Sequence, residues 1–166
     1  MNLKGILLYC LRAGSFALAI CAVYMLICRL RRKMPGLGRL AAVAYLAALF
    51  HITVLRGGVE WSALLQPGRS AVLIPFATTF GLLDDGLWQL IYNIVGNLIW
   101  FVPLGIILRK KRWIQALAWG AGISACIEAM QFMLRTGITD IDDTIFNALG
   151  ALIGWGICRI NKKKCG

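Results

Sequence analysis

The 166-residue chain has little of what a soluble enzyme displays. Only 15% of its residues are charged, 7 are acidic, 4 are proline and 1 is histidine. So few charges exclude a disordered polyelectrolyte. His51 has no second histidine and no nearby cysteine, so it reads as a satisfied interface residue and not as a metal ligand. The six cysteines, Cys10, Cys21, Cys28, Cys126, Cys158 and Cys165, lack the paired spacing of a zinc site or a disulfide frame. Lying in or beside apolar runs, they read as small hydrophobes. No GxSxG, SxxK, HExxH or phosphate-loop motif occurs, so no standard hydrolase or nucleotide site is written in the chain.

What is present is apolar. Hydrophobic residues make up 60% of the chain and the mean hydropathy is +0.75, a composition that belongs in lipid. A spanning helix needs about 20 largely apolar residues, fewer when terminal Arg or Lys side chains reach the interface. Five stretches qualify: Leu3 to Cys28, Leu40 to Leu55, Leu87 to Leu108, Trp113 to Leu134 and Thr144 to Ile160. A sixth, Ser70 to Leu83, contains Pro75 and Gly81 and has the length of an interfacial or re-entrant segment. The expected fold is all-α, a polytopic membrane helix bundle of about five transmembrane helices plus that one interfacial or re-entrant segment. It forms a single integral membrane domain over residues 1–166, ending in a basic tail at 159–166.

The basic residues fall in blocks. Arg29, Arg31, Arg32, Lys33 and Arg39 separate the first two segments, Arg109 to Arg112 the third and fourth, and Arg159 with Lys162 to Lys164 follow the fifth. Five spans put all of these on one side, and short cytoplasmic loops are the ones enriched in Lys and Arg. The amino terminus is therefore expected outside and the carboxy terminus in the cytoplasm. The net charge of +11 is explained by orientation, and no nucleic-acid partner is expected. A sixth span would place Arg109 to Arg112 outside, against the rule. A cleaved signal peptide is also disfavoured, because the basic cluster follows the first apolar segment. Arg12, within that segment, is read as reaching the outer interface.

A charge at the bilayer centre costs about 2.5 to 3.5 kcal/mol on insertion scales, so an intramembrane acid marks a site by default. Glu128 lies 15 residues after Trp113 and roughly 9 Å short of the other end of its helix. Gln131 and Arg135 follow on the same face. Asn93 and Asn97 in the third segment and Asn147 in the fifth reach a similar depth, and lipid exposure would penalise them all. They are expected to face one another or an outward-open, water-filled cavity. Over it lie Asp140, Asp142 and Asp143. Part of that cluster has a local account: Asp140 or Asp142 caps the last helix, Asp143 complements its dipole, and Gly137 closes the helix before. The full ligand-binding set is Asn93, Asn97, Glu128, Gln131, Arg135, Asp140, Asp142, Asp143 and Asn147. Structural alternatives are an ion pair of Glu128 with Arg135, Arg12 or Arg56, and amides bonding between helices. Gly150 and Gly154 are spaced for close helix packing within the chain, or for a homo-oligomer.

Two blocks carry a family resemblance. One is Asn93-Ile-Val-Gly-Asn97-Leu-Ile-Trp-Phe101-Val-Pro103-Leu-Gly105. The other joins Glu128-Ala-Met-Gln131-Phe to Asp140-Ile-Asp142-Asp143-Thr-Ile-Phe-Asn147-Ala-Leu-Gly150, with a weaker block at Leu73-Ile-Pro75-Phe76. Across roughly Leu73 to Trp155 the chain resembles the VanZ-like family of small bacterial membrane proteins. The resemblance implies a multi-pass protein of the bacterial cell membrane linked to resistance to teicoplanin, a lipid-bearing glycopeptide. It implies no known reaction.

Two functions fit these residues. In the first, a non-enzymatic envelope factor without a cofactor binds an amphiphile, a lipid-linked wall intermediate or a lipoglycopeptide, through amides and a carboxylate. In the second, an intramembrane hydrolase or transferase uses Glu128 as general base. Asp140 and Asp143 are then further catalytic candidates, and a divalent ion sits at Asp140, Asp142 and Asp143.

The orientation has a direct test. In a cysteine-free background, single cysteines in the connection from Arg135 to Asp143 are expected to react with impermeant thiol reagents added outside the cell, and cysteines at Arg109 to Arg112 are not. The reverse pattern would overturn the orientation.

Overall fold

The computed structural model describes residues 3–55 and 71–160, with side chains from Leu7 onward. The side chains of Lys4, Arg56, Arg69 and Lys162 to Lys164 lie outside the described residues. In chain order the helices are α1 (Leu3–Leu30), α2 (Leu37–Thr53), α3 (Ala77–Asp85), α4 (Leu87–Ile107), α5 (Trp113–Leu134) and α6 (Ile141–Ile160). Two-residue strands β1 (Ala71–Val72) and β2 (Thr139–Asp140) pair in parallel, Ala71 opposite Thr139 and Val72 opposite Asp140. The described residues are all-α apart from this pair.

The apolar stretches give the helices with small shifts. The fourth coincides with α5. The fifth begins three residues early, at Ile141, so Asp142 and Asp143 stand in the first turn of α6 and not in a loop before it. From Ala71 the sixth candidate segment resolves into β1, a turn at Pro75 and the nine-residue α3, which runs on to Asp85, is roughly 13 Å long and is too short to cross a bilayer. α1, α4 and α5 are long and apolar enough to cross a membrane, and α2 is a shorter apolar helix of 17 residues.

Where the composition suggests one domain, contacts divide the chain into two compact units, Met1–Arg56 and Gly57–Gly166. In the first unit α1 and α2 run antiparallel. The Tyr9 hydroxyl donates to the Ile52 carbonyl at 2.8 Å, and Cys21 lies against the Leu40 carbonyl, its Sγ 3.8 Å away. Ala13, Ala17 and Cys21 line the buried face of α1, and their small side chains let Ala47 and Leu49 of α2 close on it. His51 packs between Tyr9 and Phe16, with ring centroids 5.9 and 5.5 Å away. Its Nδ1 is buried without a hydrogen-bond partner, so the expectation of a satisfied histidine fails at that atom.

The second unit is built around α6. A Cβ on Gly150 would overlap the Leu98 carbonyl, one on Gly154 the Val102 carbonyl, and one on Gly105 the Ala151 carbonyl. Residue numbers rise together along these contacts, so α4 and α6 are parallel and their backbones touch. Along α5 the order reverses: Gly120 meets Ala148 and Ala151, while Ser124 meets Asn147. α5 is thus antiparallel to α6, as a short connection requires. Two faces of α6 are therefore occupied within one chain, and the Gly150 and Gly154 stripe is covered by α4.

Van der Waals contact is the main attraction between helices in lipid, so side chains that push backbones apart are costly there. Gly154→Ala is expected to destabilise by about 1 to 3 kcal/mol, the usual range for overpacking. Gly156, with open space at its Cβ position, is expected to accept Ala without loss. Thermal unfolding of the two variants in one detergent checks the contrast.

Candidate functional site

The polar residues converge where α6 begins. Asp140 immediately precedes the helix, and its Oδ1 accepts the Asp142 N–H at 2.9 Å, the geometry of an N-cap. Asp140 is held in turn. Its own N–H donates to Glu128 Oε2 at 2.9 Å, and the Thr139 hydroxyl donates to the Glu128 carbonyl at 3.2 Å. Glu128, 6% exposed, thus ties α5 to β2. The described partner of its carboxylate is a backbone donor, not the arginine that an ion pair would need.

Asp142 does not cap its own helix. Its side chain, 1% exposed, reaches the amino end of α3: Oδ1 accepts the Phe76 N–H, and Oδ2 accepts the Thr79 N–H at 3.0 Å and the Thr79 hydroxyl at 2.7 Å. α3 needs this because Phe76 occupies its N-cap position and carries no acceptor. Phe76 is also left-handed, at φ 63°, a conformation costing roughly 1 to 2 kcal/mol for a residue with a Cβ. One carboxylate from another helix therefore supplies both sites that a capping box would fill locally. The β1–β2 pairing brings the Leu73 to Phe76 segment to it.

Asp143 turns toward α4, where its Oδ1 accepts from the Asn97 amide. One turn further, the Asn147 amide donates to Ser124 Oγ at 2.8 Å, with the Thr144 hydroxyl 3.5 Å from the same oxygen. Ser124 is fully buried and was not among the expected site residues. Its signal was present: it stands four residues before Glu128 and heads the stripe that continues through Gln131 and Arg135. A serine costs little in a membrane helix, so its position alone did not mark it.

The remaining members are placed differently. Gln131 covers Gly137, its Nε2 being 3.4 Å from where a Cβ would stand. Arg135, at φ 56°, closes α5 in the left-handed conformation, so Gly137 does not. Asn93 lies one turn toward the start of α4 from Asn97, and its Oδ1 is buried without a partner. Asn147 Oδ1 is likewise unpartnered on a side chain 6% exposed. Asp140, Asp142 and Asp143 direct oxygens to different donors, and among the described residues no three His, Cys, Asp or Glu side chains are grouped to hold a metal ion.

A hydrogen bond to a charged group contributes about 1.5 to 3 kcal/mol. Asp142→Ala is expected to free the start of α3 and raise amide exchange at Phe76 and Thr79 at least about tenfold, leaving the middle of α5 protected. Asp140→Ala, which removes only a cap, is expected to cost about 1 kcal/mol in global stability. Hydrogen exchange with residue resolution separates the two.

Comparison with known proteins bears on the same stretch. Protein VanZ of Enterococcus faecium is 27% identical over 99 residues, 57% of this chain and 56% of that protein. The matched region therefore spans little more than half the length of that relative. No solved structure matches. Residues 42–162, most of the chain and all the polar residues of the centre just described, match VanZ/LLP1, and the chain belongs to the VanZ/LLP1 family.

Proposed function

We propose that this chain is a multi-pass envelope protein of the bacterial cell membrane that acts in glycopeptide resistance of the teicoplanin type, the phenotype to which the VanZ-like family is linked. In this reading it works by binding and not by catalysis. Its ligand is an amphiphile, a lipid-linked wall intermediate or a lipoglycopeptide, whose head meets the polar centre of the second unit. The observation that carries the reading is the pair of buried acceptors without partners, Asn93 Oδ1 and Asn147 Oδ1.

A buried acceptor left unmade costs about 1 to 3 kcal/mol, and such groups are rare in folded proteins. Two of them on neighbouring parallel helices suit a ligand that brings donors: hydroxyls, ammonium groups or amide N–H groups. The carboxylates beside them already accept from Asp140, Phe76, Thr79 and Asn97, so their part is to hold the helices around those acceptors. Leu73, Ile74 and Phe80 are exposed on the segment that Asp142 fastens, and they offer an apolar neighbourhood for an acyl chain. With the orientation given by the basic blocks, this centre opens on the outer side, where wall intermediates and glycopeptides are met.

The test is teicoplanin susceptibility in a sensitive host expressing the chain, with membrane abundance measured in parallel. Asn93→Ala is expected to return susceptibility to the vector level at unchanged abundance, since no described residue pairs with the oxygen it removes. Glu128→Gln keeps a carbonyl oxygen for the Asp140 N–H and is expected to retain at least about half of the effect. Loss of protein in step with loss of phenotype would make Asn93 structural. Abolition by Glu128→Gln at normal abundance would favour a general base and overturn the binding reading.

A further inference from the structure

The end of the second unit remote from Asp140 has the opposite character. α6 is 20 residues, roughly 30 Å, long, and its last turn lies beside the connection between α4 and α5. That connection is Arg109-Lys110-Lys111-Arg112. Its backbone is closely fastened. The Lys111 N–H donates to the Leu108 carbonyl at 2.8 Å, and the Arg112 N–H donates to Gln115 Oε1 at 3.0 Å. The Lys111 carbonyl accepts the Trp155 indole N–H at 2.9 Å, which fixes the connection to α6. On the same indole lies Arg159, its guanidinium carbon 5.0 Å from the ring centroid.

Cations from two separated parts of the chain are thus held on one frame, and Lys110, Lys111, Arg112 and Arg159 are all exposed. The described acids of this unit stand in α3, in the last third of α5 and at the start of α6, all toward the other end. Exposed cations gathered away from the described acids of their unit attract an external anion. Two tryptophans mark the depth: Trp113, 51% exposed, opens α5, and Trp155 stands within the cluster. Tryptophans at helix ends sit at headgroup level. We propose that Lys110, Lys111, Arg112 and Arg159, ordered around Trp155, form a site for the phosphate headgroup of an anionic phospholipid.

A general excess of positive charge would bind anionic lipid wherever lysine and arginine are dense, including Arg31, Arg32 and Lys33 between α1 and α2. The ordered frame around Trp155 distinguishes the second unit. The full chain, purified in a nonionic detergent, is titrated with phosphatidylglycerol and with phosphatidylcholine and read by native mass spectrometry. Phosphatidylglycerol is expected to be retained roughly tenfold more strongly or better, given the attraction that several basic residues exert together. The triple change Lys110→Gln, Lys111→Gln and Arg159→Gln is expected to abolish that preference. Arg31→Gln, Arg32→Gln and Lys33→Gln, which remove the same charge, are expected to leave it within about twofold. Trp155→Phe retains the ring and every charge but loses the indole N–H, and is expected to weaken retention several-fold. If it unfolds by thermal assay, the exposed Arg159→Gln alone replaces it. Equal losses from both triple changes, no lipid preference, or displacement of phosphatidylglycerol by millimolar inorganic phosphate would each overturn the proposal.

Discussion

The bonds that the second unit depends on run from carboxylates to backbone N–H groups at the start of α6. A buried helix end is cut off from water, so each backbone donor there must find an acceptor within the protein. Asp142 provides this for α3, and Asp140 provides it for α6. Asp140 is in turn set in place by Glu128 through its own N–H. The order of dependence runs from Glu128 in α5, through the cap of α6, to the start of α3. Three elements therefore meet at one short stretch, and a change in Glu128 or Asp142 reaches beyond its own helix.

Such bonds form only because the helices approach closely. Gly150, Gly154 and Gly105 let the backbones of α4 and α6 touch, which brings the Asn97 amide to Asp143. Gly120 does the same for α5 and lets Asn147 reach Ser124. Larger side chains would hold the helices apart and leave these polar groups facing hydrocarbon. The glycines and the acids are two parts of one arrangement, because close packing supplies the proximity and the polar contacts fix the register.

The two ends of this unit suit different chemistry. Near Asp140 the carboxylates are engaged by backbone and amide donors, while two buried amide oxygens remain without a donor. Near Lys111 the side chains are exposed cations, with Arg159 on the Trp155 indole and the Lys111 backbone bonded to it, and no described acid of the unit stands at this end. In the readings proposed above, one end offers acceptors to donor-bearing groups, and the other offers donors to anions.

Composition by itself determined the helical class and the positions of the long apolar helices, and it singled out Glu128, Asn97, Asn147 and the three aspartates, whose hydrogen bonds the structure then places around the start of α6. Long apolar runs and intramembrane amides have few other uses. The family, too, was legible, since Asn93 to Gly105 and Glu128 to Gly150 lie in contiguous blocks. Which donor each acid would serve was not legible. Asp142 reads locally as a helix cap, yet its donors are Phe76 and Thr79, more than 60 residues earlier in the chain. Trp155 gave no local signal and Ser124 only its place on the stripe of Glu128, because their partners, Lys111 and Asn147, are brought to them by helix packing. Local sequence determines which groups lipid would penalise. Only the tertiary structure decides their partners, because a buried hydrogen bond depends on a distance between helices that no single segment contains.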